Sequence, residues 1–251
     1  MCKTKAYTEN MDAMNESVAF RFDFYSMPSF KNDFVELLRK NLPVQQFTER
    51  LLTEEEKQKI NIDAISYTLD NSIEEIISKK IYKFEQFHMA NCMAELYIGP
   101  YFLFLYLKRK REEPVRLKEL DTVFNLLKSK SSELNLLNTT CILSFNKYLG
   151  DNDLWKVFDT DAFPSLDTKT MTVGRYADSH LYGNMNVELV RAISKGTYKK
   201  EDGEVIDPCF YVNIIANGTI PQLSLQSDDF PIILSKLFNQ SQDEATKCFI
   251  N

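Results

Sequence analysis

Asp159 and Asp161 in "KVFDTDAFPSLD" are the pair in this 251-residue chain whose spacing best fits metal chemistry. Residues i and i+2 at a strand end point to the same side, so two carboxylates could share Mg²⁺ or Mn²⁺ in a transferase or hydrolase. Such a site needs further oxygen ligands, and none can be assigned. The alternative is a solvated turn, a setting that suits aspartate. A second candidate is "RYADSHLYGN", where Asp178, Ser179 and His180 have the side-chain types of a hydrolytic triad. Triad members converge from separate elements, and no G-x-S-x-G stretch marks a nucleophile elbow. His180 is therefore expected to be an ordinary loop or strand residue. The other histidine, His88, alternates with its neighbours in "FEQFHMANC", and pairing it with Cys92 would require the fold to bring the two together. Two histidines do not make a His-rich metal centre. No catalytic, cofactor-binding or metal-ligating residue is assigned from the sequence, and the chain is read as leaning away from enzymes.

Seven glycines in the chain form neither G-x-G-x-x-G nor G-x-x-x-x-G-K-[ST]. A phosphate cradle needs backbone that can approach closely or take positive φ, so the glycine pattern argues against Rossmann and P-loop chemistry. Five scattered cysteines (Cys2, Cys92, Cys141, Cys209, Cys248) are odd in number and never C-x-x-C, which points to reduced, mostly buried thiols in a cytosol. "MCKTKAYTENMDAMNES" has no apolar stretch behind its lysines and does not read as a secretory signal. The net charge of −6 is spread along the chain, with no basic face for nucleic acid or an anionic membrane. Aromatic residues make up 12% of the chain, and without a basic groove they read as core rather than as a stacking platform for bases. Trp155 is the aromatic best suited to anchor an interface, with core burial as the alternative.

These side chains must be held by elements that can be read from hydropathy. "LYIGPYFLFLYLKRKR" (96–111) is too short and too interrupted by Gly99-Pro100 to span a bilayer. "AELYI" and "YFLFLYL" read instead as two strands, the second apolar on both faces and therefore central. "SVAFRFDFY" (17–25) alternates Val18, Phe20, Phe22 and Phe24 with Ala19, Arg21, Asp23 and Tyr25, a half-buried strand with one aromatic face. "SFKNDFVELLRKNLP" is a helix with Ser29 as N-cap. Residues 44–59 read as a solvated helix or loop, "INIDAISYTLD" (60–70) as a strand, and "KIYKFEQFHM" (80–89) as another. Leu117, Leu120, Val123, Phe124 and Leu127 form a helical stripe over 115–129, and "TTCILSFNKYL" (139–149) is a strand. Broken apolar segments follow, "DLWKVFD", "VELVRAIS" and "CFYVNIIA", then an Asn217-Gly218 turn and "TIPQLSL". A terminal helix begins near Ser227 and buries Ile233, Leu234, Leu237 and Phe238.

Several adjacent strands are linked too tightly for parallel crossovers. The expected class is α+β, a mostly antiparallel sheet covered by a few amphipathic helices, in a single domain over 1–251. Two lobes, 15–150 and 151–251, are the other division, with a seam near Gly150-Asp151-Asn152-Asp153.

The order strand, "LYIGPYFLFLYL", amphipathic helix, then a strand with "SFNKYL" and Asn146, closed by "IILSKLFNQSQDEATKCFI", resembles a sporadically distributed, uncharacterised bacterial family of about this length. The likeness covers roughly residues 80–250 and is strongest over 95–149. It implies the fold, a bacterial or phage origin and, through patchy distribution, mobile or defence-related genes. It implies no chemistry. The expectation is a cytoplasmic binding or regulatory protein with a protein partner and neither nucleic acid nor membrane. A divalent-metal enzyme using Asp159 and Asp161, and a small-molecule-binding domain, are the alternatives.

Overall fold

The computed structural model describes residues 15–25, 31–42, 46–61, 73–77, 79–89, 92–109, 121–129, 136–164, 166, 173–199, 203–221 and 230–250. Nine strands dominate: β1 (Asn15–Phe24), β2 (Gln46–Arg50), β3 (Ile81–Met89), β4 (Cys92–Ile98), β5 (Phe102–Arg109), β6 (Leu136–Gly150), β7 (Val173–Tyr182), β8 (Met185–Lys199) and β9 (Val205–Pro221). Helices are fewer: α1 (Lys31–Asn41), α2 (Glu54–Ile60), α3 (Ile73–Ile77), α4 (Asp121–Ser129), α5 (Asp151–Val157) and α6 (Phe230–Thr246). The strands hydrogen-bond in the order β2-β3-β4-β5-β1-β6-β9-β8-β7. The pairs β2–β3, β3–β4, β4–β5 and β7–β8 are antiparallel, so the α+β expectation holds, with sheet outweighing helix. Among the described residues, no helix is long and apolar enough to cross a membrane.

The chain divides into two compact units. One comprises residues 18–140 and 219–235, the other 1–17, 141–218 and 236–251. Gly150 to Asp153, read from sequence as a seam, lie inside the second unit.

In the first unit, β5 is central as its two apolar faces require: Phe102, Leu103, Phe104, Leu105 and Leu107 are all buried between β4 and β1. Strand β1 departs from its expected half-burial. Arg21 and Asp23 are buried with the phenylalanines because they neutralise one another across 3.2 Å. On the other face, Phe20 and Phe22 present their rings edge-on to Phe124 of α4, at 5.6 and 6.1 Å between centroids.

The segment around residue 60 also differs from expectation. Residues 46–50 pair with β3 as an edge strand, and Ile60 ends helix α2 rather than starting a strand. Thr53 and Glu56 close a reciprocal capping box at the start of α2. At its end Asn61 takes a left-handed conformation (φ 58°). Arg21 donates to the carbonyls of Ile60 and Asn61 at 3.3 and 3.4 Å, a cation where the helix dipole is negative. Residues 62–70 of that expected strand, residues 115–120 of the expected helix, and Ser29 and Ser227 lie outside the described residues.

In the second unit, β8 and β7 form a tight hairpin through Gly183 (φ 65°) and Asn184, with Tyr182 opposite Met185. The expected Asn217-Gly218 turn is instead continuous strand within β9. Glycine sits there because α6 approaches closely: a Cβ at Gly218 would lie 2.7 Å from Leu237 Cδ1.

Candidate interaction surface

Burial alternates along β9 and most of β6, so the second unit has two unlike sheet faces. Val212, Ile214, Ala216, Leu143 and Phe145 are buried on the face that meets Leu237 and Ser241 of α6 and Phe249. The opposite face carries Ser144, Asn146 and Tyr148 from β6, Tyr211 and Asn213 from β9, and Ser194, Gly196 and Tyr198 from β8, all half-buried or exposed. Ser144 donates to Asn213 Oδ1 at 3.2 Å, fixing two of these polar groups. Three tyrosines gather at one end. Tyr148, 46% exposed, stacks on Tyr198 with centroids 4.1 Å apart and planes 7° from parallel. Tyr211 tilts against the same ring at 4.9 Å. Beside them an open cleft of about 200 Å³ is lined by Ser194, Lys195, Gly196, Thr197 and Cys209. A Cβ placed at Gly196 would meet nothing within 4 Å. None of these tyrosines was singled out from the sequence. The available signal was their alternate placement with Ser, Asn and Gly on strands whose intervening residues are aliphatic.

The residues expected to carry chemistry are placed elsewhere. Asp159 follows α5 and accepts from the Asp161 amide at 3.0 Å, capping the short 3-10 turn Thr160–Ala162. Asp161 is exposed, and no group of three His, Cys, Asp or Glu gathers as a metal set among the described residues. Asp178 and His180 share one face of β7, while Ser179 points to the other and donates to Asn186 Oδ1 at 2.7 Å. That geometry separates the would-be nucleophile from the imidazole. His88 lies in β3 opposite Met93, but its side chain and that of Cys92 are outside the described residues. Trp155 is half-buried on α5.

A polar cluster does form where β7 meets the end of α6. Arg191 bonds Asp178, Tyr182 donates to Glu244 Oε1, and Lys247 donates to the same carboxylate at 2.6 Å. Glu244 Oε2 makes no hydrogen bond among the described residues and lies 3.7 Å from His180 Nε2. Burial alone would raise the Glu244 pKa, but the bonds from Lys247 and Tyr182 outweigh it and hold the carboxyl below its ordinary range. Tyr182 is pushed up by its bond to Glu244, and Lys247 likewise. Each group is thereby fixed in its resting charge state, the reverse of tuning toward neutrality that proton transfer needs. Burial lifts the Cys248 thiol to about 12, and Cys141 and Cys209 are raised by the same cause. None of the three is an activated nucleophile.

In the first unit the charges are architectural. Glu56 accepts from Arg50 at 2.7 Å and from Lys83 at 2.7 Å, and Lys83 also reaches Glu85 at 2.6 Å. Lys59 bonds Glu95 at 2.9 Å, and the Tyr97 hydroxyl donates to Glu95 at 2.7 Å. This network ties α2 to strands β2, β3 and β4.

No protein-family model matches the chain, and no curated protein matches it.

Proposed function

We propose that this chain is a cytosolic, non-catalytic binding or regulatory protein, a protein–protein interaction component of a bacterial accessory or defence-type system. The observation that supports the reading is the composition of this sheet face, half-buried or exposed among the described residues. Tyrosine supplies large, stiff contact area with a polar tip, and Ser, Asn and Gly supply adaptable hydrogen bonding, the same division of labour found in protein-binding paratopes. Tyr148, Tyr198 and Tyr211 are held by mutual stacking, so less side-chain entropy is lost when a partner covers them. Ligand pockets usually enclose about 300–1,000 Å³. The cleft here, at about 200 Å³ and open, suits a partner's side chain better than a free metabolite.

The test is affinity purification from the native cell with quantitative mass spectrometry. A protein that co-purifies with the wild type and with Asp159→Ala/Asp161→Ala, but is lost from Tyr148→Ala/Tyr211→Ala, is the expected result. Retention by the tyrosine variant would refute this surface. Thermal stabilisation by Mg²⁺ or Mn²⁺ that disappears in Asp161→Ala would move the reading to the metal-dependent enzyme.

A further inference from the structure

We propose that β7 is the contact through which two copies of this chain pair, antiparallel and about a two-fold axis at Ser179. The inference does not rest on the tyrosine surface. β7 ends the strand order, so one side of its ten-residue backbone has no partner strand among the described residues. Ala177 to Leu181 are all exposed, and Val173 and Leu181 stand 68% and 79% in solvent. A long edge of this kind is a template for another strand.

The opposite edge is defended. β2 has five residues, its Arg50 is held by Glu56, and its Phe47 ring is covered by the Arg39 guanidinium at 4.7 Å. With β7 the longer of the two terminal strands among the described residues, pairing of β7 with its own copy is isologous and closes at two copies instead of propagating into a fibre.

Asp178 and His180 on β7 select the register. Centred on Ser179, Asp178 of each copy faces His180 of the other, Tyr176 faces Tyr182, and Ala177 faces Leu181. A carboxylate can accept from the imidazole it faces, and aromatic pairs in direct cross-strand positions stabilise antiparallel sheet. Moving the axis one residue to either side sets Asp178 against Asp178 or His180 against His180. The Asp178 and His180 side chains are 49% and 44% exposed. Each therefore keeps a solvent-facing side for the second copy despite its own contact with Arg191 or Glu244.

Opposed Cα atoms in an antiparallel pair are roughly 4.5–5.5 Å apart, inside the range a disulfide spans. In a Cys2→Ser/Cys92→Ser background, Ser179→Cys should therefore form a disulfide-linked dimer under mild oxidation, while Val205→Cys, exposed on another strand, should not. In parallel, sedimentation velocity at about 100 μM, a concentration that populates even modest affinities, should show a dimer. His180→Asp, which sets two carboxylates against each other at both crossings, should return it to monomer with an unchanged circular dichroism spectrum. A wild-type monomer at that concentration, a His180→Asp dimer, or an unlinked Ser179→Cys variant would each overturn the proposal. Partner capture by Tyr148 and Tyr211 is read independently of all three.

Discussion

Replacing Glu56 with glutamine removes one charge and almost no volume from the network that docks α2. Burial alone would raise the Glu56 pKa, but hydrogen bonds from Arg50, Lys83 and the Thr53 amide bring it from an ordinary 4.5 to about 2. At 1.36 kcal/mol for each tenfold factor, that difference corresponds to about 3 kcal/mol of stability at pH 7. The side chain is only 7% exposed, so solvent screening takes little from this figure. The folded-state value is depressed, so the contribution is complete above the unfolded-state value and disappears as pH falls from about 4.5 towards about 2. Roughly 2 kcal/mol of it is gone at pH 3. Urea unfolding followed by far-UV circular dichroism should show Glu56→Gln less stable than wild type by about 3 kcal/mol at pH 7. At pH 3 the gap should shrink to about 1 kcal/mol. A gap below about 1 kcal/mol at pH 7, or one equally large at both pH values, would refute the assignment of the network as a main support of α2.

Gly218→Ala should lower stability by about 1–3 kcal/mol, because the new methyl meets Leu237 and Ser241 on α6. Gly196→Ala, with open space at its Cβ, should shift the thermal midpoint little or raise it slightly, which scanning calorimetry compares directly. In a Cys2→Ser/Cys92→Ser background, the remaining thiols Cys141, Cys209 and Cys248 should resist Ellman's reagent at pH 8 and react together on adding denaturant. Fast labelling of the native protein would contradict their burial. Phe22→Ala, at a fully buried ring packed on Phe124, should cost about 3–5 kcal/mol in the same urea assay.

Periodicity was informative where a strand's environment is uniform. The unbroken apolar run of β5 announced a central strand, and the alternation in β3 and β6 announced strands in their observed places. It misled where local chemistry overrides pattern. Arg21 and Asp23 looked like a wet face, but two opposite charges at i and i+2 can be buried together once they meet. Ile60 and Ile62 suggest a strand from residue 60, whereas the Thr53-x-x-Glu56 capping box seven residues earlier starts the helix, one of the two readings of 44–59, that runs on through Ile60. Asn217-Gly218 has turn composition, and only the approach of Ser241 and Leu237 explains a glycine in mid-strand. The tyrosine surface was illegible because it joins β6, β8 and β9 through strand neighbours that no local spacing encodes.

Strands β6 and β9 and helix α6 each begin in one compact unit and end in the other. Each unit is therefore assembled from separated lengths of chain, and the first lacks its last portion until residue 235 has been made. During synthesis, the β3-β4-β5 meander can form early from neighbouring residues, since its contacts are local. The β7-β8 hairpin is equally local, but the pairing of β6 with β9 must wait until residue 221 has been made. Cutting the gene after residue 150 would thus yield two fragments, neither of which holds all the pieces of either unit.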